Sequence, residues 1–215
     1  MRRPAGAVVS VVFSDNFNRA DTTNLGAEWN EVDGNSEIIS NQLSQPVGAN
    51  AGRTFTTTTA HAAIADMKVS IKHISGDRAE CGVVARATGS GDFYAFAIRS
   101  GGGNSQLYRF NGGTKTQLDV DSATFTYVSG APIELQVTGT GATVTVQAWY
   151  NSVQMFNYAD TDASRITGAG QAGVYNWGLG TATFDDFSVD DLQSAATQAT
   201  PGSMMAYSFG RRRML

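Results

Sequence analysis

Residues 13–29 read FSDNFNRADTTNLGAEW, with Asp15, Asp21 and Glu28 gathered around Arg19. Three acids beside one arginine suit two kinds of chemistry. The first is a cation site. Calcium takes about six to eight hard oxygens from carboxylates, amides and carbonyls. Asp15 and Asn16 near the start of the chain could share an ion with Asp185 or Asp186 near its end. The D-x-D-x-D-G loop that would mark such a site strongly is missing. The second is a salt bridge. Arg19 can form a bidentate pair with Asp185 or Asp186, or with Asp21, flanked by Phe13, Phe17, Phe184 and Phe187. A possible structural calcium and an arginine latch both stay open at this point, and no other cofactor is required.

Hydrolytic chemistry has less to stand on. A glycosidase needs two carboxylates, about 5–5.5 Å apart for retention or about 6.5–9.5 Å for inversion. Glu28 and Glu31 stand three apart and face different ways, while Glu80 and Glu134 are isolated on strands and read as solvated. Asp185 and Asp186 are adjacent, so a regular strand points them to opposite faces. His61 and His73 belong to no triad phrase, and no G-x-S-x-G elbow exists. The glycine-rich GSGD and SGGGNS have no Walker lysine and read as turns. Cys81 is the only cysteine, so an intrachain disulfide is excluded, and its apolar setting reads as a buried thiol. The chain is read as a non-enzyme.

Bulk properties narrow the class. Charged residues make up only 16%, but 11 Phe, 7 Tyr and 3 Trp can build a core, which separates this chain from disordered compositions. The formal net charge of −4 conceals a polarity. Five of the 15 basic residues are arginines at the tips, Arg2, Arg3, Arg211, Arg212 and Arg213, leaving ten against 19 acidic residues. A body near −9 is a poor partner for nucleic acid, whose backbone demands positive surface. The start, MRRPAGAVVSVV, has the basic end of a signal peptide but a short apolar run and no small-residue cleavage pattern. No run reaches the roughly 18 apolar residues of a membrane span.

The elements that must position these groups are strands. Ala63–Ile74 alternates, with Met67, Val69 and Ile71 opposite Lys68, Ser70 and Lys72. Cys81–Ala87, Phe93–Arg99 and Gln106–Phe110 form a meander with glycine turns, and Lys115–Val120, Pro132–Thr138, Thr143–Tyr150, Val153–Tyr158, Ala172–Asn176 and Thr183–Val189 follow. No helical stripe is convincing. More than ten short strands point to an all-β sandwich of two antiparallel sheets. The domain reading is an N-terminal arm or edge strand over 1–12, one sandwich over 13–190, and a linker with a basic tail over 191–215.

Several phrases then resemble a known family. Phe17-Asn18-Arg19-Ala20-Asp21-Thr22 with Leu25-Gly26 and Trp29 looks like the opening of concanavalin A-like lectin/glucanase domains. More narrowly, it resembles the laminin-G-like modules of bacterial surface and phage structural proteins. NSEIISNQL, Gly82–Arg86 followed by Asp92–Ala95, and GAGQAGVYNWGLGTATFDDFSV are similar to later phrases of that family. The resemblance implies a jelly roll of two curved sheets, one concave, with first and last strands adjacent. Family roles run from carbohydrate binding to hydrolysis to pure structure, so the fold does not choose among them.

The expected ligand-binding residues follow from aromatics and arginines on strands. Trp149 ends a polar strand face, the form of a sugar-stacking platform, or else it covers a sheet edge. Arg86, Tyr94, Arg99, Tyr108 and Arg109 sit on successive strands, and Arg86 and Arg109 are expected to share the concave face with Trp149. Trp177 is expected in a glycine-flanked loop, as a rim contact or a plug. The tail carries Met204, Met205, Tyr207 and Phe209 before Arg211–Arg213, and it looks like the ends of phage virion proteins. The function expected is a phage virion structural protein, a capsid decoration, head-fibre or tail-associated subunit, displaying a lectin-like domain. Its partners would be capsid or tail proteins met by the basic arms, a host-surface glycan, and a second copy as a homo-oligomer. Its place would be the virion, assembled in the host cytoplasm. The alternative is a carbohydrate-binding module that is extracellular or at the cell surface.

Overall fold

The computed structural model describes residues 10–46, 53–75, 79–89, 91–99, 104–121, 126–178 and 180–193. Its elements are all strands. One sheet, A, contains β1 (Ser10–Asp15), β3 (Glu37–Ile39), β4 (Gln42–Gln45), β6 (Met67–Ser75), β11 (Ala131–Thr138), β12 (Val144–Tyr150), β13 (Val153–Asp160) and β15 (Ala182–Asp191). Its order is β13-β12-β11-β6-β15-β4-β3, with β1 also on β15. The other, B, runs β10 (Thr114–Asp121), β9 (Ser105–Asn111), β8 (Phe93–Arg99), β7 (Ala79–Ala87), β14 (Gln171–Gly178), β5 (Arg53–Thr58) and β2 (Trp29–Asp33). The named pairings are antiparallel. This is the two-sheet antiparallel sandwich expected from the strand signals, in the jelly-roll form that the family resemblance implied. No helix among the described residues is long and apolar enough to cross a membrane.

Sheet A follows the two-residue period. Along β6, β11 and β12 every second side chain is buried and the alternate ones reach solvent. Met67, Val69 and Ile71, with Ile133, Leu135, Val137, Val144, Val146 and Ala148, therefore form one wall of the core. Each such burial contributes on the order of 1.5–3 kcal/mol. Sheet B departs from that rule. In β8 and β9 six consecutive residues are buried, so both faces of these strands are covered. One parity, with Cys81, Val83, Phe96, Ile98 and Leu107, completes the core between the sheets. The other parity forms a second apolar cluster from β7, β8, β9 and β14.

The chain's entry is closed by rings. β1 pairs with the far end of β15, from Ser10 opposite Asp191 to Asp15 opposite Phe187. Trp29 packs at 5.7 Å from both Phe13 and Phe17 and at 5.0 Å from Phe187, measured between ring centroids. Arg19 does not reach the last strand, which corrects the expected latch of Arg19 with Asp185 or Asp186. It pairs with Asp15, four residues away, at 2.8 Å, and donates to the Leu25 carbonyl. Asp186 pairs with Lys72 instead. Asp185 accepts from the Asp186 amide in a bulge where Asp186 has φ 48°. The long-range closure is aromatic, and the ion pair is local.

Candidate functional site

The outer face of sheet B, turned away from sheet A, combines small and large side chains in a definite order. The central strands supply a floor of Gly82, Val84, Ala95 and Ala97. The strands on either side supply rings: Tyr108 and Phe110 from β9, Tyr175 and Trp177 from β14. Two strands separate β9 from β14, which at about 4.8 Å per strand sets their backbones about 14 Å apart. Even so, the Phe110 centroid lies 5.9 Å from Tyr175 and 6.2 Å from Trp177. Phe93, stacked on Phe110 at 4.3 Å, extends the layer. The rings lean over the small floor and fill the trough. Gly82 is what lets the floor lie so low: a Cβ there would sit 1.9 Å from the Phe96 carbonyl oxygen.

Charged groups gather at the Trp177 end of this layer. Glu80, directly opposite Trp177 across the β7–β14 pair, is 8% exposed. Its Oε2 accepts from Lys115 Nζ at 2.8 Å and from the Tyr108 hydroxyl at 3.2 Å, and Oε1 faces Arg99 at 3.1 Å. This overturns the reading of Glu80 as an isolated solvated acid. Its partners come from three different strands, which no local phrase could announce. Lys115 Nζ also lies 3.9 Å from the Tyr108 ring centroid and 4.5 Å from that of Trp177, a cation–π sandwich. Burial, and then the neighbouring Glu80 carboxylate, push the Tyr108 phenol well above its ordinary pKa. Trp177 and Arg99 remain partly open to solvent. The arrangement offers a ring face, a carboxylate, an ammonium and a guanidinium within one small patch, the mixture that holds a polyhydroxylated ring by stacking and hydrogen bonds.

Of the residues singled out from sequence, Tyr108, Trp177 and Arg99 meet here. Trp177 does so from the end of strand β14, not from a loop. The others lie elsewhere. Arg86 was expected on an open face, but it sits in a bulge with φ 56° and its side chain is wholly buried. Its guanidinium donates to the carbonyls of Ala65, Ile166 and Gly139 and meets Asp66, pinning three loops to one end of the sandwich. Arg109 also faces inward. It pairs with Asp160 at 2.8 Å, with both groups almost fully buried, and Tyr94 donates to the same carboxylate at 2.7 Å. This is a strut from β9 to the end of β13, not a ligand site. Trp149 belongs to sheet A, so it shares no face with either arginine. Lys68 Nζ stands 5.5 Å from its ring centroid and pairs with Glu134, so Glu134 is not isolated either.

The remaining chemical candidates dissolve on inspection of their contacts. Asp15 uses both oxygens on protein donors: Arg19, the Trp29 indole at 2.8 Å and the Phe17 amide at 2.8 Å. Burial alone would raise this carboxyl, but the Arg19, Trp29 and Phe17 hydrogen bonds hold it below the ordinary value. The Asn16 oxygen caps the Asn18 amide. Asp15 and Asn16 are thus turned to protein donors, and the described residues contain no group of three His, Cys, Asp or Glu able to hold a metal. Burial drives the Cys81 thiol far up, so no thiolate nucleophile forms there. His73 is buried between the rings of Tyr127 and Phe184 at 5.0 and 5.5 Å, and desolvation pushes its pKa down to about 4. Tyr207, Phe209 and Arg211–Arg213 lie outside the described residues.

No family model and no curated protein sequence matches the chain. Solved structures do. A carbohydrate-binding module, CBM66, from Bacillus subtilis superposes with a TM-score of 0.61 at 12% identity, covering 76% of this chain and 95% of that one. An endo-1,3-beta-glucanase from Streptomyces sioyaensis gives 0.63 at 10% identity, over 88% and 99%. A Bacillus subtilis protein of unknown function with a galectin-like fold gives 0.60 at 12% identity, over 85% and 96%. These likenesses establish the fold: a concanavalin A-like jelly roll.

Proposed function

We propose that this chain is a non-catalytic carbohydrate-binding jelly-roll module, contacting its glycan at the Trp177 end of the outer face of sheet B. The observation that carries the reading is the partly exposed Trp177 ring beside the Glu80–Lys115–Arg99 group. Sugar rings stack on such a face while charged and hydroxyl groups fix their hydroxyls. The trough that would seat a long polysaccharide is filled by Phe93, Phe110 and Tyr175, so the contact is with one or two residues of a glycan. The non-catalytic part rests on Glu80. Its oxygens face Lys115, Tyr108 and Arg99, none of them a carboxylate, whereas glycoside hydrolysis takes a pair of carboxyl groups. Glycan-array binding is expected to fall at least about tenfold in Trp177→Ala and in Glu80→Gln, with Trp149→Ala unchanged because that ring lies on the other sheet. Binding that follows Trp149, or no binding on a broad array, would sink the assignment. Release of reducing ends from a polysaccharide panel would sink its non-catalytic part.

The finer reading is display of this module on a phage particle, and it rests on the arginines at both tips of the sequence. Co-sedimentation of the full chain with phage particles, lost in Arg211→Glu/Arg212→Glu/Arg213→Glu, is the result it requires. Binding to a bacterial surface without particles would favour the extracellular module instead.

A further inference from the structure

Trp177, Glu80 and Arg99 stand in one row across three strands. Trp177 on β14 is opposite Glu80 on β7, and Glu80 is opposite Arg99 on β8. The backbones at the two ends of the row are two strand spacings, about 10 Å, apart. Lys115 reaches the middle of the row from β10 and gives Glu80 a second cation. Among the described residues, Glu80 is the acid within ion-pair reach of both Arg99 and Lys115. One carboxylate thus faces two cations, and the patch keeps a surplus of positive charge. That surplus is unevenly exposed. Lys115 is held between the rings of Tyr108 and Trp177, with 25% of its side chain open to solvent. The Arg99 side chain is 50% open, and its closest approach to Glu80 is by Nη2 at 3.1 Å. A guanidinium carries five N–H donors in a planar fork, and one carboxylate oxygen cannot use them all.

The row is a positive island on an acidic body, where ten basic residues away from the tips of the sequence stand against 19 acidic ones. An anionic ligand is repelled by such a body and drawn to the one place where the sign reverses. A neutral sugar stacked on Trp177 would leave the extra charge and the spare N–H groups of Arg99 unanswered. An acidic sugar answers both. Its ring lies on the indole, and its carboxylate takes the open side of the guanidinium, whose fork matches two carboxylate oxygens. We propose that the glycan met by this patch carries a uronic acid, with the sugar ring on Trp177 and its carboxylate on Arg99. The proposal rests on the reading of the Trp177 patch as a glycan contact and names the class of sugar. Glu80 then has a defined part: it fixes Arg99 and Lys115 in place and cancels one of their two charges, so the patch selects a single carboxylate at a set position.

Calorimetric titration of the full chain with trimers of galacturonic, glucuronic and mannuronic acid, and with the methyl ester of each, tests this directly. The ester keeps the ring and its hydroxyls and removes the charge. At low salt at least one acid is expected to bind about tenfold or more tighter than its own ester, and raising salt to about 0.5 M should cut that advantage at least about threefold. Arg99→Gln should bring the acid down to the level of the ester and leave the ester unchanged, whereas Trp177→Ala should weaken both. Esters or neutral glycans that bind through Trp177 as tightly as the acids would overturn the uronate assignment alone and leave the glycan contact standing. A preference for the acid that survives Arg99→Gln, or a sulfated neutral trimer that binds as tightly as the uronate, would overturn it as well. Absence of binding by acids, esters and neutral glycans together would take down the glycan reading of the patch and this proposal with it.

Discussion

Replacing His73 tests the core between the sheets through pH. In the folded chain desolvation holds this imidazole's pKa at about 4, against 6.5 for the ordinary group. Between those values the unfolded chain binds a proton at this position and the folded chain does not. The linkage therefore runs one way: stability falls as pH drops from about 6.5 to about 4, and the loss levels off below that. About 2.5 pH units at about 1.4 kcal/mol each give a total near 3.5 kcal/mol, most of it lost by pH 4.5. His73→Leu keeps a similar volume between Tyr127 and Phe184 and removes the titration. Asp185 and Asp190, both raised chiefly by burial, contribute with the opposite sign, but they are common to both proteins and cancel in the difference. Urea unfolding at pH 7 and pH 4.5 is the assay. The parent should lose about 2–3 kcal/mol more than His73→Leu between the two conditions. An equal loss in both would mean that the imidazole is solvated or paired when protonated, and the account of this part of the core would be wrong.

Two further outcomes follow from buried contacts. Arg109→Met leaves Asp160 charged and alone, which should cost about 3–5 kcal/mol in denaturant unfolding; Arg109→Met/Asp160→Leu should recover most of that, and a double variant no better than the single one would deny the coupling. Gly82→Ala drives a methyl into the Phe96 carbonyl and should lower stability by at least about 3 kcal/mol, whereas Gly89→Ala, with open space around it, should leave the melting temperature unchanged.

The strands were legible wherever one face is wet. In β6, β11 and β12 the alternation of apolar and polar residues marks both the element and its inward side. Sheet B hides its outer face, because Phe93, Ala95 and Ala97 are as apolar as the core residues between them. Periodicity cannot tell which of two buried sides is which. Arg86 misled for a different reason. A bulge with positive φ at a non-glycine residue breaks the alternation that would otherwise turn it outward. The Glu80 group escaped notice because its members are scattered over residues 80, 99, 108 and 115 and only sheet pairing unites them. Conversely, the aromatic entry of the chain could be read in part: Phe13, Phe17 and Phe187 were placed together, and the indole of Trp29 is what joins them.

The small floor beneath the rings of sheet B has a consequence for the shape this face can take. Gly82, Ala95 and Ala97 already carve a channel across the central strands, and ring-bearing side chains from β8, β9 and β14 occupy it. Cutting Phe93, Phe110 and Tyr175 back to small residues would turn a filled face into an open groove, with every strand left in its register. Groove and platform are thus two settings of one backbone, separated by a few ring-bearing positions. A sandwich of this fold can for this reason open or close a groove on this face without passing through a different fold.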